Sequence, residues 1–76
     1  MSNLQKLRNK KNLSQRQLSD VSGINVRAIQ HYEQGTRNIN HARLDTIVKL
    51  AIALDCKIPD IIDDPLFLRL LNQIKS

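Results

Sequence analysis

One cysteine, Cys56, stands in this chain, so no intrachain disulfide can staple it. Following an apolar run that ends at Leu54-Asp55, it reads as a small buried hydrophobe and not a redox centre. Two Gly and two Pro interrupt 76 residues that are otherwise rich in Leu and Ile, a balance favouring compact helices over disorder. No apolar run approaches the ~18 residues of a membrane span, and the N-terminus is polar. Neither a span nor a signal peptide is expected, and the cytoplasm follows as the expected compartment. Catalytic apparatus is missing as well. The carboxylates are scattered, and there is no glycine-rich loop and no nucleophile–base spacing. His31 and His41 have no Cys or acid at a ligand spacing, so no metal site is expected. The chain reads as a non-enzyme without cofactor.

Acidic residues are scarce too. Seven face twelve Lys and Arg, leaving a formal charge of +5 that favours an acidic partner. The excess is local: residues 1–43 carry eight Lys or Arg against Asp20 and Glu33, whereas residues 44–76 are slightly acidic. A basic N-terminal half beside a neutral remainder fits a DNA-facing surface better than a general solubility charge.

What is present is a chain of short, well-punctuated helices without strand or repeat. The central stretch is residues 13–35. Ser14 with Gln17 makes a capping-box pattern, and Leu18 and Val21 give the helix an apolar spot. Gly23 stops it in the left-handed conformation. Asn25 caps the next helix, Ile24 and Ile29 stand at staple positions, and Gly35 closes it. So short a turn predicts a steep crossing of the two helices. At ~100° per residue, Ile29, Tyr32 and Glu33 fall on one side of the second helix, and Arg27, Gln30, His31 and Gln34 on the other. That outer side holds long hydrogen-bonding side chains and no acid, which suits base edges and phosphates. On an isolated helix such a face would be read as merely solvated; the short turn and the basic surroundings reverse that reading.

Before this stretch, residues 3–11 predict a helix with Leu4 and Leu7 inward. After it, Thr36 to Asn40 reads as a loop anchored by Ile39, with Asn40 capping a long helix to about Asp55. Leu44, Ile47, Val48, Leu50, Ala51, Ile52 and Leu54 cover about 200° of that helix, predicting one packed on several sides, with Ala53 on the exposed strip. Pro59 opens a short helix through Ile62. Asp64 and Pro65 then start a last one, residues 65–75, with an apolar stripe of Leu66, Phe67, Leu70, Leu71 and Ile74. The expected fold is all-α, a five- to six-helix bundle.

Residues Leu4, Leu7, Arg8, Leu13, Ser14, Gln15, Leu18, Gly23, Ile29, Tyr32, Glu33 and Gly35, then Leu44, Ile47, Leu50, Ala51, Leu54 and Ile61, jointly resemble the helix-turn-helix regulators of the phage repressor and Cro type (XRE family). The resemblance covers roughly residues 3–62. Ser19 departs from it, standing where Ala is usual, and the segment Gly35 to Leu44 is about a turn longer than the commonest pattern. The resemblance implies a lambda-repressor-like DNA-binding domain over residues 1–63. It implies a transcriptional regulator, most often a repressor, that acts as a homodimer on a palindromic operator of double-stranded DNA. It places base reading on Asn25, Val26, Arg27, Gln30 and His31, and phosphate contact on Gln15, Arg37 and Asn38. Free backbone N–H groups near Ser14 and Asn40 are expected to add phosphate contacts. Arg8 and Glu33, each a charge at the edge of an apolar helix face, match positions of a structural ion pair. Residues 64–76 lie beyond the resemblance and are expected to form or support the dimer interface; the competing expectation folds them over Leu50, Leu54, Ile58 and Ile61. Two rival functions stand beside this one. One is an antitoxin that binds a protein toxin and autoregulates its promoter; the other is an interaction module that has lost DNA. A protein partner of the toxin or anti-repressor kind therefore accompanies the DNA expectation.

Overall fold

The computed structural model describes residues 2–74. Six α-helices follow one another: α1 (Asn3–Lys10), α2 (Gln15–Ser22), α3 (Val26–Gln34), α4 (Leu44–Leu54), α5 (Ile58–Ile61) and α6 (Pro65–Asn72). A single 3-10 turn, Ile39–His41, lies between α3 and α4, and there is no strand among the described residues. Local chemistry sets most of the boundaries. Ser2 Oγ accepts from the Gln5 amide at 3.0 Å to start α1, and Asn12, at φ 58°, turns the chain towards α2. Ser14 Oγ accepts from the Gln17 amide while Gln17 Oε1 accepts from the Ser14 amide, at 3.0 and 2.8 Å, so the capping box is closed. Gly23 and Gly35 end α2 and α3 at φ 75° and 80°, where a Cβ would be strained. Asp64 Oδ1 caps α6 through the Leu66 amide, with Pro65 in the first turn.

Leu4, Leu18, Ile29, Leu50, Leu54 and Ile61 are fully buried, one or two from each of the first five helices. Each stabilises the fold by about 1.5–3 kcal/mol through water exclusion. Through them α2 packs on both α3 and α4, and α1 packs on α3 and α5. The α2–α3 pair is therefore held from behind, with its outer side left clear.

Four expectations need correction. Val21 is exposed, not part of an apolar spot under α2, because the core side of that helix is satisfied by Leu18 and Ser22. Asn40 does not cap α4, which begins after Arg43 without any side-chain cap. Burial of Ile39 draws the preceding segment into its own 3-10 turn, and Asn40 turns to other partners described below. The α4 arc is narrower than its composition implies: Leu44 and Ile52 are exposed, while Ala53 packs against the core instead of lying on the outer strip. Lastly, α6 closes at Asn72; residue 75 of the expected helix lies outside the described residues. None of the α6 residues is buried, and Leu66, Leu70 and Ile74 are exposed. Phe67 lies against His41, ring centroids 5.6 Å apart, and Leu68 reaches a cleft beside Leu7 and Ile62.

Candidate nucleic-acid interface

The turn between α2 and α3 is tied from inside by two serines. Ser19 Oγ donates to the Ile24 carbonyl at 2.6 Å, and the Ile24 amide donates to Ser22 Oγ at 3.1 Å. At position 19 the hydroxyl thus replaces a methyl group with a bond that fixes the turn. Asn25 Oδ1 accepts from the Arg27 amide at 2.8 Å, which leaves the Asn25 amide NH2 outward at the start of α3. Arg27 and Gln30 are exposed, Val26 and His31 half-buried, so the five residues at and after this cap form one outward surface with a shallow apolar point at Val26.

The opposite side of α3 is anchored. Arg8 Nε and Nη2 donate to the two oxygens of Glu33 at 2.7 and 3.0 Å, and Arg8 Nη1 donates to the Leu13 carbonyl at 2.8 Å. The side chains are 11% and 3% exposed, so this bidentate pair sits almost entirely out of water. Glu33 pushes the Arg8 guanidinium still further above its ordinary pKa by accepting its hydrogen bonds, outweighing the effect of burial. Gln15 joins the cluster, its Nε2 donating to Glu33 Oε1 at 3.1 Å. One side chain at the α2 start thus bridges into α3, leaving one N–H and its oxygen for an outside contact.

Beyond Gly35 the chain doubles back. The Arg37 amide donates to the His31 carbonyl at 3.2 Å, closing the turn. The Arg37 guanidinium then lies 5.8 Å from the centre of the Tyr32 ring. Asn38 Oδ1 accepts from the Asn40 amide and from Asn40 Nδ2, both at 2.9 Å. The Asn40 side chain also ties the loop to the α5–α6 connection. Its Oδ1 accepts from the Asp63 and Asp64 amides at 3.0 and 3.1 Å, and its Nδ2 donates to Asp63 Oδ1 at 2.8 Å. The Asn40 amide is therefore saturated within the protein, and the free helix N-terminus expected beside it lies at Leu44 instead.

Arg27 and Gln30, with half-buried His31, thus lie on the outer side of α3, Gln15 and Arg37 reach Glu33 and Tyr32 of its anchored side, and Asn38 lies in the loop that follows, whereas the Asn40 side chain is tied to the α5–α6 connection. Of the other basic side chains, Lys11 lies 3.9 Å from Asp55 and Arg43 lies 3.3 Å from Asp45, both exposed contacts. Thr36 carried no sequence signal, and Ser19 showed only as a departure from the family pattern; each acts through a partner five residues away across a left-handed glycine. No group of three or more His, Cys, Asp or Glu able to hold a metal occurs among the described residues. None of their helices is long and apolar enough to cross a membrane.

A family model described as helix-turn-helix matches residues 4–61. No curated protein and no solved structure matches the chain.

Proposed function

The chain belongs to the XRE-type helix-turn-helix family of DNA-binding transcription regulators, and from that premise we propose that it represses transcription as a homodimer on a palindromic operator. The observation that carries this reading is the outer side of α3. Arg27 and Gln30 project from it with His31 alongside, free of acid, while the inner side is fixed by Ile29, Tyr32 and the Arg8–Glu33 pair. A helix anchored on one side and polar on the other can enter the major groove as a rigid body. Arg27 suits the paired acceptors of guanine, Gln30 an adenine edge, and Val26 a thymine methyl. The Asn25 NH2 group reaches the same groove from the cap.

Phosphate contact falls to Gln15, Arg37 and Asn38, which border α3 on both sides. Gln15 and Arg37 are already partly ordered by Glu33 and Tyr32, so little side-chain entropy remains to be lost on binding. Asn40 acts on this surface through Asn38, by holding the loop in place.

Residues 64–76 supply the second copy's docking element in this reading. The α6 stripe leaves Leu66, Leu70 and Ile74 exposed, the last two lining an apolar hollow with Ile62, Phe67 and Leu71. A lone chain would keep that surface wet. A two-fold dimer covers it and sets two recognition helices one turn of DNA apart, about 34 Å. Selection of bound sites from a random duplex pool tests the proposal. A two-fold symmetric consensus is the expected result, and recovery of unselected sequence refutes it.

A further inference from the structure

His31 faces the proposed groove with one ring nitrogen already committed. Its Nδ1 lies 2.8 Å from Thr36 Oγ1, and Thr36 Oγ1 lies 3.3 Å from the His31 carbonyl in donor geometry. The hydroxyl has one proton. If it donates to Nδ1, the carbonyl contact is wasted. If it donates to the carbonyl, Nδ1–H must donate to Oγ1, and both contacts become hydrogen bonds in a chain whose members polarise one another. Only the second arrangement makes hydrogen bonds of both Thr36 contacts; in the first the carbonyl keeps just the Arg37 amide, at 3.2 Å. The remaining nitrogen, Nε2, has no partner among the described residues and is then a bare acceptor.

We propose that Thr36 sets the tautomer of His31, so that the recognition helix presents an acceptor there and selects a base bearing an exocyclic amino group. In the major groove that means N4 of cytosine or N6 of adenine; the carbonyl edges of guanine and thymine are rejected because acceptor meets acceptor. Without such a lock a histidine is an ambiguous reader, able to donate or accept at Nε2. Thr36 is a positioning residue here, held five positions beyond His31 by the left-handed Gly35 and by the Arg37 amide on the same carbonyl. This inference rests on α3 being the base-reading helix.

Two measurements separate the inference from that premise. The first is nitrogen–proton correlation NMR on the free chain at about pH 8, where an ordinary imidazole is neutral. Wild type is expected to show His31 protonated at Nδ1 and bare at Nε2, and Thr36→Val to lose that preference. A wild-type ring protonated at Nε2 overturns the inference while leaving DNA recognition untouched. The second is site selection with wild type and Thr36→Val. The variant is expected to lose about two- to tenfold discrimination for an amino-bearing base at one position per half-site, the worth of one hydrogen bond, with the other positions unchanged. Identical consensus sequences from the two chains overturn the inference. A wild type that selects no sequence refutes the base-reading premise, and the inference falls with it even if the tautomer is as stated.

Discussion

Replacing Glu33 by Gln tests how much of this small fold hangs on one carboxylate. Three N–H groups converge on it, two from Arg8 and one from Gln15. Gln has nearly the same shape but no charge and only one acceptor oxygen. At least one donor loses its partner, and the Arg8 guanidinium is left 11% exposed with no counter-charge. Breaking a buried pair by removing one partner costs about 3–5 kcal/mol. With the Leu13 carbonyl still holding Nη1 and one acceptor retained, about 3 kcal/mol is the expected loss. A domain of this size has roughly 4–11 kcal/mol in total. Thermal unfolding followed by circular dichroism should show Tm lower by roughly 12–24 °C. A urea titration with an unchanged slope would assign the loss to stability and not to a looser native state. A variant melting within about 3 °C of wild type would refute the reasoning. The double change Arg8→Met with Glu33→Leu should melt above either single change, because no charge is then stranded.

Arg27→Ala is expected to cost about 1–3 kcal/mol on the selected site and to relax preference at one or two base pairs. Arg37→Ala should weaken cognate and random duplexes alike and flatten the salt dependence, and equal scaling by both variants would sink the division of roles. Leu70→Glu on α6 should convert a sedimenting dimer to monomer with the melting curve of the monomer fold intact, since no α6 residue is buried; unfolding instead would mean that α6 is core. Asn40→Ala should cost about 1–3 kcal/mol by leaving the Asp63 and Asp64 amides without their acceptor, measurable by urea titration. Burial first, then the charges of Asp60 and Asp55, push the Cys56 thiol up. Its alkylation at neutral pH should therefore be slower than that of a free thiol and accelerate on unfolding; a rate matching free cysteine would contradict the packing.

Much of the fold was readable because its determinants are local. A cap needs only the residue and the amides two or three positions on, so Ser14 with Gln17, Asn25 and Asp64 mark helix starts wherever the chain goes. Gly23 and Gly35 mark the ends for the same reason: a left-handed backbone is a property of one residue. The inner side of α3 was legible too, since Ile29, Tyr32 and Glu33 must share a side at helical spacing. So was the outer side that carries the proposed base readers, by subtraction.

Tertiary structure decided whatever depends on a partner far along the chain. Asn40 has the composition of a cap, but its amide is worth more against the Asp63 and Asp64 peptides, 23 and 24 residues away, than at a helix start. Gln15 reaches Glu33 across eighteen positions, which no capping rule foresees. Hydropathy shows that Val21, Leu44 and Ile52 are apolar, but which of them are covered depends on how many helices find room around α2 and α4. The bundle has too few to enclose them, and they remain exposed. Hydrophobic patterning and caps report the chain's own periodicity, whereas these contacts are decided by the three-dimensional packing that brings distant peptides together.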